Sequence, residues 1–88
     1  MNVKFRKRFL KELAKIPSQI RLQIEHFVFE EIPQSHSLYE SGKFEKMHGY
    51  DRYYKIRFGP YRIGVKVEND IVIFERILHR KEIYRYFP

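Results

Sequence analysis

The sequence contains no cysteine and no tryptophan, and only four glycines and four prolines among its 88 residues. The absence of cysteine excludes a disulfide framework, a cysteine-based zinc site and a thiol nucleophile. The low glycine and proline content argues against a disordered or fibrous chain. No apolar run approaches the ~18–20 residues that span a bilayer, and the N-terminus lacks the apolar stretch of a signal peptide. We therefore expect a soluble, cytoplasmic protein that forms one domain over residues 1–88.

The charge is strongly positive and unevenly distributed along the chain. Eighteen Lys and Arg residues against eleven Asp and Glu residues give a net charge of +7. Residues 1–26 and 43–66 each hold seven Lys or Arg, whereas residues 27–42 hold none. Such an excess of positive charge predicts a polyanionic partner, most often a nucleic acid. The alternative is that the charge serves solubility alone.

Hydrophobic spacing in the first third of the chain predicts a strand followed by two helices. Residues 2–5 form the candidate first strand. Apolar side chains then recur at helical spacing over 6–15 and again over 17–31, which indicates an α-hairpin. Pro33 is expected to end the second helix, because proline cannot donate a backbone hydrogen bond.

The second half of the chain changes to the two-residue period of β-strands. Apolar residues alternate with polar ones from Tyr53, and turns at 59–60 and 68–70 separate three strands. Residues 33–49 are expected to form a loop. The order is β-α-α-β-β-β plus a basic, aromatic tail. It predicts an α+β fold in which the N-terminal strand and α-hairpin pack on a small, mainly antiparallel twisted sheet.

The predicted hairpin brings positive charges together on one face. A two-residue loop at Gly59-Pro60 places Arg57 opposite Arg62 and Lys55 opposite Gly64. Like charges directly across two strands destabilise a sheet, so their presence indicates a ligand that neutralises them. Gly64 leaves space for a close approach to the backbone. Because Arg and Lys both bind phosphate, this face is a candidate site for a phosphodiester.

Two alternatives remain open for this face. The three cations form an ordinary solvated surface if they pair with nearby carboxylates, for which Glu45, Asp51 and Glu75 are the candidates. A loop of three or four residues would also break the pairing of Arg57 with Arg62.

The C-terminal tail supplies a second set of candidate residues. His79 is a side chain that exchanges protons near neutrality, and Tyr84 can stack on a nucleobase. The other histidines show no metal-ligand spacing, so we expect neither a metal site nor a cofactor.

Taken in order, five stretches of the chain resemble the RelE/ParE superfamily of bacterial and archaeal toxins. These stretches are Lys46-Met47-His48-Gly49, Tyr53-Tyr54-Lys55-Ile56-Arg57, Tyr61-Arg62-Ile63, Val72-Ile73-Phe74 and His79-Arg80-Lys81-Glu82-Ile83-Tyr84. The resemblance covers essentially the whole chain, and its specificity comes from the combination of stretches.

This resemblance implies a type II toxin that a cognate antitoxin protein holds inactive. RelE-like members cleave mRNA in the ribosomal A site without a metal, by attack of a ribose 2′-OH on the adjacent phosphate. ParE-like members instead inhibit DNA gyrase, which is the alternative function. A plain RNA-binding domain is a third reading, but the element order does not match a double-stranded-RNA-binding domain.

The resemblance also implies which residues act. The expected catalytic residues are Lys55, Arg57, Arg62, His79, Arg80 and Tyr84, and the expected RNA contacts add Lys66, Lys81 and Arg85. Arg62 and Arg80 would clamp the scissile phosphate. Lys55 and Arg57 would stabilise negative charge, with Lys55 also a candidate base. His79 or Tyr84 would be the general acid, or Tyr84 would stack on a base.

Overall fold

The computed structural model describes residues 1–88 and shows a five-stranded sheet with the first three helices packed on one face and a short C-terminal helical turn on the other. The strands are β1 (Asn2–Phe5), β2 (Glu45–Lys46), β3 (Tyr53–Phe58), β4 (Tyr61–Glu68) and β5 (Ile71–His79). The helices are α1 (Lys7–Ala14), α2 (Ser18–His26), α3 (Ile32–Gln34) and α4 (Ile83–Tyr86), with a π-helical turn over Phe27–Glu31 joining α2 to α3. No helix has the length and the hydrophobicity needed to span a bilayer.

The strand order across the sheet is β1-β5-β4-β3-β2. β1 pairs in parallel with β5, and every other pairing is antiparallel. The helical hairpin that follows β1 covers one face of the sheet. This arrangement confirms the predicted α+β fold, including the N-terminal strand.

The β3–β4 hairpin has the predicted register. Phe58 pairs with Tyr61, Arg57 with Arg62 and Lys55 with Gly64. The turn between them begins at Gly59, whose φ of 55° lies in the left-handed region. Glycine adopts this conformation without the steric cost that a side chain would impose, which makes a two-residue loop possible here.

An extra residue interrupts the pairing of β4 with β5. Gly64 lies opposite Arg76 and Val65 lies opposite Phe74, so Glu75 is left over as a β-bulge. Side chains alternate between the two faces of a strand, so one extra residue reverses the facing of every residue that follows it.

The reversal determines on which face of the sheet each side chain at the end of β5 lies. Ile77, opposite Ile63, enters the core and is 2% exposed. Leu78, opposite Arg62, lies on the face away from the helices. His79 returns to the helix-covered side, where its ring meets that of Tyr61 at 6.1 Å.

The core lies between the helices and the sheet. Its aromatic centre is Phe74, whose ring lies 5.2 Å from that of Phe5 and 5.5 Å from that of Phe9. Fourteen buried residues form this cluster. They are Phe9, Leu13, Ile16, Ile24, Phe27, Val28, Ile32, Ile56, Phe58, Ile63, Val65, Val72, Phe74 and Ile77.

Three local features differ from the predictions. The expected loop over 33–49 contains β2, which is too short to produce a recognisable alternation. The helical segment that begins with α2 does not end before Pro33. It continues through the π-helical turn and α3 to Gln34, because proline is tolerated in the first turn of α3, where its missing N–H is not needed. The tail forms one helical turn, α4.

The core makes Ile63 a sensitive position. It is fully buried between the helices and the sheet, so the Ile63→Ala variant should lower the free energy of unfolding by about 2–5 kcal/mol. Leu22→Ala is the control, because Leu22 is 62% exposed and its loss should cost less than about 0.5 kcal/mol. Urea denaturation followed by circular dichroism measures both values. Equal losses would contradict this placement of the core.

Candidate active site

The candidate site lies on the sheet face opposite to α1, α2 and α3. Here Arg57 lies opposite Arg62, and Lys55 lies opposite Gly64. Directly opposed residues have Cβ atoms ~4.5–5.5 Å apart, so these cations are close neighbours. Arg57 is exposed, whereas Lys55 and Arg62 are half-buried.

Only one of these three cations has a carboxylate partner. Glu45 of β2 forms a salt bridge with Arg57 at 3.1 Å. The Arg62 guanidinium instead donates from Nη1 to the backbone oxygens of Gly59 at 2.8 Å and Tyr61 at 2.9 Å. The alternative of a neutralised, solvated surface therefore holds for Arg57 but not for Arg62. Lys55 forms no salt bridge, although Glu45 is its direct cross-strand neighbour.

A backbone hydrogen bond places the residue that follows β5, Arg80, beside the β3–β4 turn. The Arg80 backbone N–H donates to the Pro60 carbonyl oxygen at 2.8 Å, which fixes the start of the tail beside the β3–β4 turn. The Arg80 side chain is exposed and forms no salt bridge. Arg80 therefore begins next to the strand end that carries Arg62.

The turn α4 brings Tyr84 onto Lys55. The Lys55 ammonium donates a hydrogen bond to the Tyr84 hydroxyl and lies 4.9 Å from the centroid of its ring. Tyr84 remains 60% exposed, so its ring is accessible to a ligand. The predicted lysine and tyrosine are thus brought together, although they are 29 positions apart in the chain.

A small apolar cluster anchors the tail on this face. Met47, Ile83 and Phe87 are buried together, and the Phe87 ring lies directly over Gly64. The sequence interpretation left this space for a ligand. The structure corrects it: the chain's own Phe87 occupies the space, and a ligand is restricted to the cations beside it.

The remaining predicted residues lie at the margins. His79 faces the helix side of the sheet, away from Arg62, because of the β-bulge. Lys66 is in a salt bridge with Glu68 at 3.6 Å and lies over the Tyr53 ring. The side chains of Lys81 and Arg85 are exposed at the tail.

Two residues near the site were not predicted. A groove beside Lys55 and Tyr84 is also lined by His48 and Tyr50. Sequence reasoning set His48 aside because it lacks metal-ligand spacing, although its place in the stretch before β3 offered a signal. No three His, Cys, Asp or Glu side chains cluster closely enough to hold a metal ion.

This geometry suits a phosphodiester. Arg62 offers a fork of N–H donors, Lys55 and Arg80 offer positive charge, and Tyr84 offers a hydroxyl within the same group. The chemistry that such a group supports is binding of phosphate and stabilisation of negative charge that develops on it.

Comparisons with known proteins agree with the fold and with the sequence resemblance. The sequence profile of the family described as the ParE toxin of type II toxin–antitoxin systems matches residues 3–84. Toxin RelE3 of Methanocaldococcus jannaschii is 47% identical over 89 residues, covering 100% of both chains.

Solved structures show the same similarity. The RelB–RelE antitoxin–toxin complex from Methanococcus jannaschii contains a chain with a TM-score of 0.80 and 45% identity, covering 97% of this chain and 99% of that chain. A chain of the intact RelBE complex from E. coli has a TM-score of 0.63 and 26% identity, with coverage of 86% and 92%. The fold is that of the small toxins found in such complexes. The chain belongs to the RelE/ParE superfamily and is a toxin of a type II toxin–antitoxin system.

Proposed function

We propose that this toxin is a metal-independent endoribonuclease that cleaves mRNA in the ribosomal A site. One observation carries the proposal: on one face of the sheet Arg57 lies opposite Arg62, neither Lys55 nor Arg62 forms a salt bridge, and Tyr84 lies against Lys55. A cluster of uncompensated cations beside a hydroxyl suits a reaction in which charge develops on phosphate.

The proposed reaction is an internal displacement at phosphorus. The ribose 2′-oxygen attacks the adjacent phosphorus, the bond to the 5′-oxygen breaks, and a 2′,3′-cyclic phosphate and a 5′-hydroxyl result. The 2′-OH proton passes to a base, for which Lys55 in its neutral amine form is the candidate. Arg62 and Arg80 clamp the phosphate, and Arg57 adds positive charge. Tyr84 gives a proton to the leaving oxygen or stacks on a base.

The placement of His79 bears on the choice of general acid. Its ring packs against Tyr61 on the helix-covered side, whereas the Tyr84 hydroxyl accepts a hydrogen bond from Lys55 on the opposite face. Since a general acid has to reach the group that it protonates, the contact of Tyr84 with Lys55 favours Tyr84 over His79 for this role.

Two partners complete the proposal. The ribosome presents mRNA in the A site, so the toxin acts in the cytoplasm. A cognate antitoxin blocks it, as the RelB–RelE complexes of the relatives suggest. The net charge of +7 predicts that the antitoxin contributes an acidic or partly disordered segment that folds onto the basic face.

The second candidate function is inhibition of DNA gyrase. The matching profile is named for ParE toxins, which favours it, whereas the 47% identical relative is named RelE3. A gyrase inhibitor would alter supercoiling in the presence of gyrase and leave mRNA intact, so one assay of each kind separates the two functions.

The proposed nuclease is tested by mapping 5′ ends of a defined mRNA, with and without programmed ribosomes. We expect cuts within the A-site codon only when ribosomes are present. The Arg62→Ala variant should cleave on the order of 10²-fold more slowly, because a preorganised cation at the reacting phosphate is lost. Arg62→Lys keeps the charge but not the fork of N–H donors, so its cleavage rate should lie between those of the unaltered toxin and Arg62→Ala.

The matched control for this experiment is Arg8→Ala. Arg8 is exposed on α1 and forms no salt bridge, so its loss removes the same charge away from the sheet face. Cleavage by Arg8→Ala should equal that of the unaltered chain. Full cleavage by a folded Arg62→Ala variant would overturn the site, and absence of cuts under both conditions would overturn the nuclease.

Phosphate contact by Arg62 also predicts a change in salt dependence. For a labelled single-stranded RNA, the slope of log affinity against log salt concentration should become shallower by about 0.7 in Arg62→Ala, since one phosphate contact is lost. Fluorescence anisotropy at several salt concentrations measures the slope. The same change in Arg8→Ala would show that only the net charge matters.

A further inference from the structure

We propose that the Glu12–Arg76 ion pair is a positioning element for Tyr84. A second anchor, Phe87 seated on Gly64, acts on the same turn of chain. This inference rests on the proposed function, because it concerns the residue to which that function assigns the general acid. Neither anchor belongs to the predicted site residues. The Glu12–Arg76 pair lies on α1 and β5, whereas Phe87 sits on Gly64, the cross-strand neighbour of Lys55.

The Glu12–Arg76 pair is geometrically strong and shielded from solvent. Arg76 Nη2 lies 2.7 Å from Glu12 Oε2, and Arg76 Nε lies 3.2 and 3.1 Å from the two carboxylate oxygens. The side chains are 15% and 16% exposed, far less than in any other salt bridge of the chain. A fork that engages both oxygens fixes the orientation of the guanidinium as well as its distance.

Glu12 is itself tied to the sheet. Its Oε1 accepts a hydrogen bond from the Ile77 backbone N–H at 3.1 Å, beyond the point where β1 stops pairing with β5. The carboxylate therefore satisfies an otherwise open strand edge and holds Arg76 with the same group. The position of the Arg76 guanidinium therefore depends on how α1 packs against β5.

The Arg76 guanidinium also contacts Tyr86 in the C-terminal tail. Arg76 Nη1 donates to the Tyr86 carbonyl oxygen at 3.5 Å, and the guanidinium carbon lies 5.6 Å from the centroid of the Tyr86 ring. Arg76 thus connects α1 to α4 across the end of the sheet. Its contact falls two residues after Tyr84.

Phe87 provides the second anchor. It is 5% exposed, and its ring meets that of Tyr53 at 5.6 Å in an edge-on arrangement. A Cβ atom at position 64 would lie 2.6 Å from the Phe87 ring, closer than van der Waals contact allows. Only glycine at position 64 therefore leaves room for the Phe87 ring.

The turn depends on these anchors. α4 contains four residues, and a helix of this length is not stable by itself in water. Tyr84 is 60% exposed, whereas the preceding residue, Ile83, is fully buried. The orientation of Tyr84 is therefore set by neighbours in the chain that are held from outside the turn.

Two variants loosen the anchors separately. Gly64→Ala puts a methyl group where Phe87 sits, while alanine remains acceptable in an ordinary strand conformation. Glu12→Gln keeps an acceptor for the Ile77 N–H and weakens the hold on Arg76. Glu25→Gln is the matched control, because Glu25 forms a longer, half-buried pair with Arg21 at 3.9 Å on α2.

The readout independent of activity is the NMR signal of the Lys55 side chain in protein labelled with ¹³C-lysine. The ring of Tyr84 should shift the ε-CH₂ protons of Lys55, an assignment that Lys55→Arg and Tyr84→Leu verify. Gly64→Ala and Glu12→Gln should each move this signal towards that of an exposed lysine. Glu25→Gln should leave it unchanged.

The kinetic readout is ribosome-dependent cleavage. Each loosening variant should lower kcat by up to about 10²-fold with a smaller change in KM, because the acid is displaced while the phosphate-binding cations remain. Combined with Tyr84→Ala, either variant should add no further loss, since the residues act as one unit.

The outcomes distinguish the two proposals. If the unaltered toxin does not cleave RNA, the proposed function fails, and the Lys55 signal still decides whether the anchors position Tyr84. Because residue 64 is the cross-strand neighbour of Lys55, Glu12→Gln is the deciding variant for this signal. If the toxin cleaves and the Lys55 signal stays unchanged in folded Glu12→Gln, the positioning inference is overturned. Losses that add fully to that of Tyr84→Ala would overturn it as well. Should Gly64→Ala not fold, Glu12→Gln with its control decides alone.

Discussion

A single extra residue in β5 determines which side chains meet on each face of the sheet. The bulge at Glu75 turns Ile77 into the core and Arg76 onto the opposite face, across from Gly64. In a regular strand Arg76 would face the core, and an unpaired guanidinium there would cost roughly 3–5 kcal/mol. With the bulge, apolar packing continues beneath the helices. On the other face Arg76 reaches both α1 and the returning tail.

Because the core is complete on one face, the other face can carry charges that do not favour folding. Arg57 and Arg62 oppose each other across two strands, and only Arg57 has a carboxylate partner. Such an arrangement costs a few tenths of a kcal/mol or more. The backbone oxygens of Gly59 and Tyr61 hold the Arg62 guanidinium in place. An arginine that is already oriented pays little reorganisation when it meets phosphate, which is the condition for effective stabilisation of developing charge.

The fold and the hairpin follow from local patterns, whereas the site's boundaries depend on tertiary contacts. Alternation and the Gly59-Pro60 loop specify the β3–β4 register, because a two-residue turn leaves one pairing. The bulge has no comparable local signal, and so the facing of His79 could not be derived. The same holds for Gly64: its lack of a side chain indicates a close approach, but the sequence does not say that Phe87 is what approaches. His48 was missed because a lone histidine before a strand carries little information without its neighbours.

Membership of the family does not by itself fix the chemistry, since one fold carries different functions in sites built upon it. A toxin that acts by covering a surface of a partner needs complementary shape and charge, and it gains little from holding individual side chains at fixed points. A nuclease needs such fixing, because misplacement of a reacting group by ~1 Å is enough to slow a reaction substantially. Here Arg62 is held by backbone oxygens, and Arg80 begins at a hydrogen bond to the hairpin turn. The short turn that bears Tyr84 is anchored after Tyr84 by the Arg76 contact to Tyr86 and by Phe87 on Gly64. This degree of anchoring favours catalysis over surface coverage as the use of the basic face.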